Sequence, residues 1–233
     1  MPVDSALFGG GFVLLFTGFF VLVIVLIVVG VIQNKKRREA LTAFAAARGW
    51  TMRESDPSLV TRFDGHPFGT GDSRRATNCL YGSHDGRHVV AFDYQYETTS
   101  GTGDDRSTDT HHYSVVAVSL GLAVPPLAVS PEGAVGRFFG RLTNRDIELE
   151  SEDFNRAFTV TAHDRKFASD VLHPQMMQML LQWPALGWRL EGDSMLVVRS
   201  GHHQPSEVDA TLAVTDAIID QIPEHVWRTL KGQ

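Results

Sequence analysis

TNCLYGSHDGRHVVAFDYQY, residues 77–96, places Asp85-Gly86 between two runs rich in aromatic and β-branched residues. An Asp-Gly pair accepts the positive φ angles that a two-residue hairpin loop needs, so the stretch predicts two antiparallel strands turning at that point. Register follows from the turn: His84 faces Arg87, Tyr81 faces Val90 and Cys79 faces Phe92. Strand alternation then puts Cys79, Tyr81, Val90, Phe92, Tyr94 and Tyr96 on one side of the sheet, the side expected to be core. Cys79 reads as a buried small hydrophobe rather than a nucleophile. As the single cysteine of the chain it excludes an internal disulfide and any multi-cysteine zinc site.

Working outward, HPFGTG (66–71), HHYSVVAVSL (111–120) and PPLAVS (125–130) continue the strand pattern, separated by Gly, Asp and Ser clusters. The middle of the chain is therefore expected to be a β-meander. The polar run TTSGTGDDRSTDT (98–110) is expected to form a long, mobile hairpin tip. GWRLEGDSMLVVRSG (187–201) predicts a further hairpin turning at Gly192 and Asp193. Residues 206–230 predict helix, with Leu212, Ala213, Ile218, Ile219 and Ile222 as the apolar face, a break at Pro223, and Val226 and Trp227 in the last turn. The fold class expected is α+β: an N-terminal transmembrane helix, then a largely antiparallel sheet packed with helices, a C-terminal one included.

Between Ser5 and Asn34 there is no charged residue, and GFVLLFTGFFVLVIVLIVVGVI (11–32) is apolar almost throughout. As a helix this run is about 33 Å long, against a hydrocarbon core of about 30 Å. Its acidic start at Asp4 and the basic cluster behind it predict an uncleaved single-pass anchor rather than a signal peptide. Lys35, Lys36, Arg37 and Arg38 follow at once, and the positive-inside rule predicts the N-terminus outside and the C-terminal domain in the cytoplasm. The cluster is first a topology determinant and second a contact with anionic lipid at the membrane surface. EALTAFAAAR (39–48) predicts a short amphipathic helix ended by Gly49. The expected organisation is a membrane anchor over 1–34, a juxtamembrane basic helix over 35–49 and a cytosolic α+β domain over 50–233.

The net charge of −6 includes the four basic residues and Asp4, leaving −9 on residues 39–233. Such a domain repels nucleic acid, and it lacks the basic-aromatic interleaving that would offset this. The bilayer and a protein partner are the partners expected. Histidines lack zinc-ligand spacing: His84 and His88 fall on opposite faces of the hairpin, as do His111 and His112, while His202 and His203 sit in the loop before the last helix. GTGDSR (69–74) and GTGDDR (101–106) begin like phosphate loops, but neither has the third glycine or the G-K-[ST] ending. No metal or cofactor is expected.

SEDFNRAFTVTAHDRKFASDVLHP (151–174) is the densest cluster of titratable residues. Ser151 and Asp164 are placed to cap helices, Glu152 and Asp153 fall in a first turn that favours acids, and Pro174 suits the start of a helix. FTVTAH alternates, Phe158, Val160 and Ala162 inward and Thr159, Thr161 and His163 outward. Phe154, Phe158, Val160, Phe167 and Leu172 are predicted buried, with Glu152, His163 and Asp164 at element ends near solvent. His163 and Asp164 remain the candidate acid/base pair for an enzyme or small-ligand site between this segment and the sheet.

Glu152, Phe154, Phe158, Val160, Asp164, Leu172, Pro174, Met176 and Leu180, together with PFGTGDSRRATNCLYG and VVAFDYQY, resemble a domain-of-unknown-function family of membrane-anchored proteins from high-GC bacteria. That resemblance implies an N-terminal anchor and a cytosolic α+β domain, and it carries no catalytic residue or substrate. With no assembled active-site motif, the reading is a membrane-anchored protein-binding or scaffolding module, leaning away from an enzyme.

Overall fold

The computed structural model describes residues 4–101, 105–132 and 147–232, of which 4–15 as backbone only. The chain divides into two compact units, residues 1–43 and 44–233. Helix α1, Asp4–Ala47, runs unbroken through the apolar stretch and the basic cluster, so the predicted short helix over 39–48 is the end of a longer one. Phe16 to Ile32 are exposed along its length, and this is the one helix long and apolar enough to cross a membrane among the described residues.

The second unit is α+β, built on an eight-stranded sheet: β1 Thr51–Ser55, β2 Asp72–His84, β3 Arg87–Ser100, β4 Ser107–Ser119, β5 Leu127–Pro131, β6 Phe158–Ala162, β7 Trp188–Glu191 and β8 Ser194–Ser200. The spatial order is β1-β2-β3-β4-β8-β7-β5-β6, and every pairing is antiparallel. Among the described residues five further α-helices follow α1: α2 Glu152–Ala157, α3 Arg165–Val171, α4 Pro174–Leu180, α5 Pro205–Gln221 and α6 Glu224–Leu230.

The hairpin at Asp85-Gly86 forms as predicted, with His84 opposite Arg87 and Tyr81 opposite Val90. Beyond that point one extra residue enters β2: Leu80 pairs Ala91 but Thr77 pairs Asp93, so Asn78 and Cys79 together stand against Phe92. Asn78 takes φ +49° in this bulge and its Nδ2 donates to Asp93 Oδ2 at 2.8 Å. The bulge is why Ala76, rather than Thr77, joins Cys79, Phe92, Tyr94 and Tyr96 in the core. That core continues through Val115, Ala117, Leu196 and Val198 and is closed by Leu59, Phe63 and Phe68 from the segment between β1 and β2. The opposite face, carrying Leu80, Ala91, Val116 and Val197, is the one that alternation leaves to the helices, and α5 packs on β4 and β8.

Several boundaries differ from the sequence reading. HPFGTG is irregular, because Pro67 lacks an N–H for a ladder and Gly65, Gly69 and Gly71 all take positive φ. β1 arises in TMRES (51–55), which has too little apolar alternation to announce a strand. The polar run 98–110 is mostly strand: Glu97 to Ser100 pair with Ser107 to Thr110, leaving a tip of 101–106 in which 102–104 lie outside the described residues. In α5 the buried stripe is Val208, Thr211, Leu212, Thr215, Ile218 and Ile219, while Ala213 is exposed. Thr215 fits a buried position because its Oγ1 donates to Thr211 O at 2.8 Å. Thr161, expected outward on β6, is buried as well, so β6 is covered on both faces there.

Candidate functional site

The region 151–174 resolves into caps and packing. Ser151 Oγ accepts from Phe154 N at 3.3 Å and starts α2. Asp164 Oδ1 accepts from Phe167 N at 3.0 Å and starts α3. Phe154, Phe158, Val160, Phe167 and Leu172 are buried, and Glu152, His163 and Asp164 are exposed. His163 stands at the end of β6, its backbone N–H donating to Pro126 O at 3.3 Å. Adjacent in sequence, His163 and Asp164 have diverging duties: one ends a strand and the other caps a helix. In the first unit Lys35, Lys36 and Arg38 are exposed, and Lys35 Nζ lies 3.9 Å from Glu39 Oε1, one helical turn on.

Three groupings in the sheet domain were not visible as motifs, because each joins elements far apart in the chain. The first surrounds Asp93, a buried carboxylate on β3. Its Oδ1 accepts from His203 N at 2.9 Å and its Oδ2 from Asn78 Nδ2. His203 Nε2 lies 2.9 Å from Val115 O, a contact that requires the proton on that nitrogen. Burial pushes the His203 imidazole pKa below its ordinary range, against the pull of the Asp93 carboxylate. This node ties β2, β3 and β4 to the entry of α5.

The second grouping is His84, Asp85 and Asp216, whose potential ligand atoms all lie within 4.8 Å of one another. His84 Nε2 is 2.7 Å from Asp216 Oδ2. Arg87 Nη1 stands 3.7 Å from the other oxygen of Asp216 and its Nη2 3.3 Å from Asp220, so a cation is already built into the cluster. The arrangement works as a clasp between the β2-β3 turn and α5.

The third grouping lines a cavity of about 580 Å³ between the irregular segment 64–70 and strands β5 and β7. Arg189 on β7 is its centre, with 7% of the side chain exposed. The guanidinium donates from Nη1 to His66 O at 2.9 Å and from Nη2 to Asp64 O at 2.6 Å. Its Nε lies 3.1 Å from Glu191 Oε2, and Glu191 Oε1 accepts from Asp64 N at 2.5 Å. Arg189 also stands over the Phe68 ring, 5.4 Å from its centroid. Strand alternation explains the pair: residues 189 and 191 project to the same face, one carrying the fork and the other its counter-charge. Burial pulls the Arg189 pKa down and pushes that of Glu191 up, the expected direction for two charges taken out of water. The remaining walls are apolar, Pro126, Leu127, Ala128 and Leu190 among them. His163 and Asp164 do not line it.

An apolar N-terminal helix joined to this α+β sheet domain defines the class as a membrane-associated sheet protein. Among solved structures the chain is similar to the mycobacterial trehalose monomycolate transport factor A, TtfA, with a TM-score of 0.54 and 14% sequence identity, covering 80% of this chain and 96% of that one. At that identity the likeness is one of fold. No protein-family model matches the chain, and no curated protein matches it either.

Proposed function

We propose that this chain is a single-pass, membrane-anchored accessory protein whose sheet domain lies at the cytoplasmic face and binds a protein partner. The observation that carries this reading is helix α1, whose apolar side chains from Phe16 to Ile32 are exposed in a chain that also holds a well-packed sheet domain. Such a stretch finds its free-energy minimum in a bilayer. The fold shared with a trehalose monomycolate transport factor supports an accessory role over a catalytic one. Lys35 to Arg38, directly behind the apolar stretch, support the cytoplasmic placement through the positive-inside rule. The rival reading, an enzyme or ligand site at His163 and Asp164, is weakened by the capping duty of the Asp164 carboxylate.

The test is photo-crosslinking in native membranes, with a photoreactive residue at exposed positions of the sheet domain. A discrete set of protein adducts, absent when residues 1–49 alone are expressed, is expected. Adducts no different from that anchor-only control would defeat the proposal.

A further inference from the structure

The clasp between the β2-β3 turn and α5 carries more negative charge than its own contacts use. Asp85, Asp216 and Asp220 set three carboxylates against one guanidinium, Arg87, which leaves two negative charges uncancelled when the His84 imidazole is neutral. Asp216 Oδ2 meets His84 Nε2 at 2.7 Å, but its Oδ1 is buried without a hydrogen-bond donor. Among the described residues no other buried carboxylate oxygen is in that condition, and leaving such an acceptor unsatisfied is costly. Arg87 Nη1, 3.7 Å away, lends this oxygen charge without a hydrogen bond, while Nη2 of the same side chain does bond Asp220, at 3.3 Å. The cluster is therefore short of positive charge, and the shortage is centred on Asp216.

Geometry and donor chemistry narrow the occupant. One ring nitrogen of His84 and one oxygen each of Asp85 and Asp216 lie within 4.8 Å of one another, close enough to share a single ion. Calcium and magnesium are held by oxygen ligands, whereas an imidazole nitrogen beside carboxylates suits zinc and its neighbours. Zinc bonds of about 2.0–2.2 Å set tetrahedral ligands roughly 3.3–3.5 Å apart. His84 and Asp216 need to part by less than about 1 Å to meet that spacing, and exposed Asp85 closes from the hairpin tip. We infer that His84, Asp85 and Asp216 bind a divalent ion of the zinc class, with Arg87 paired to Asp220 behind it and the fourth position left to water. Its two charges bring the cluster to neutrality, and the bound ion pins the β2-β3 turn to α5. The binding needs no protein partner. Ligand spacing in the sequence gives no sign of this set, because Asp216 comes from a helix far along the chain.

The full-length chain, free of any histidine tag, stripped with EDTA and held in phosphatidylcholine nanodiscs, is titrated with zinc chloride while thermal unfolding is followed. Zinc at a hundredfold excess over its Kd is expected to raise Tm by about 5 °C or more, and calcium or magnesium at the same concentration to leave it unchanged. His84→Ala removes the rise. Asp85→Asn weakens zinc by about tenfold or more while the hairpin persists, since asparagine accepts the φ of +46° at that position. His112→Ala, which breaks up the other close histidine pair, with rings 4.4 Å apart at His112 and His202, leaves the rise intact. No rise with zinc, a rise unaltered by either His84→Ala or Asp85→Asn, a rise lost in His112→Ala, or an equal response to calcium overturns the inference. Should His84→Ala fail to fold, Asp85→Asn at the exposed turn decides alone.

Discussion

Gly82 shows how one atom can be forbidden without any unusual backbone. A Cβ there would lie 2.2 Å from Cδ1 and Cγ of the Trp50 indole, which is held by a 3.1 Å bond from Nε1 to Ser83 O and an edge contact with Phe44. Gly82→Ala is expected to cost about 1–3 kcal/mol by overpacking, measured by urea denaturation. Asp56 carries a different kind of dependence. Hydrogen bonds from the Ser58 hydroxyl, the Tyr81 hydroxyl and the Ser58 N–H hold its carboxyl down at about 2, below the ordinary 3.8. A carboxyl depressed on folding stabilises fully above its unfolded value and loses that contribution as pH falls through the folded one. Stability should therefore decline from about pH 4 toward pH 2, and Asp56→Asn should flatten that part of the curve in denaturation series. At Cys79, burial pushes the thiol up to about 12, so the native protein should resist thiol reagents at neutral pH.

Among the elements, α3 separates a structural role from a catalytic one. Asp164→Ala removes the cap on Phe167 N and should cost about 0.5–2 kcal/mol, whereas Asp164→Asn keeps an accepting oxygen and should cost little. A function that Asn abolishes while thermal unfolding is unchanged would restore His163 and Asp164 as chemistry. The hairpins at 85–86 and 192–193 and the caps at 151 and 164 were legible because turn and cap chemistry is written within four residues. The Cys79 register was only partly legible, since a bulge depends on what the partner strand needs, here the Asn78 bond to Asp93. Strand β1 and the covering of Thr161 depend on distant neighbours, and the Arg189 cavity joins residues more than a hundred positions apart. Such a site leaves an Arg-x-Glu on a short strand as its sequence trace, a pattern too common to stand out.

For the whole molecule, the buried thiol turns into a tool. With Cys79 fully shielded, a cysteine introduced at exposed Ser107 becomes the single accessible one and reports which side of the membrane the sheet domain occupies. In intact cells a membrane-impermeant maleimide should leave Ser107→Cys unlabelled, and labelling should appear once the membrane is opened. Labelling of intact cells would place the sheet domain outside and reverse the expected topology.

The strand order also bears on synthesis. β2, β3 and β4 pair with their sequence neighbours and can form as soon as residue 119 has emerged, but the other edge of β4 receives its partner only when residues 194–200 are made. During that interval Val115 to Val118 present an unpaired strand edge and uncovered side chains to which another chain could add. A ribosome pausing between those two points would hold the chain with that edge open, so slow translation over residues 120–193 is expected to raise aggregation of this protein.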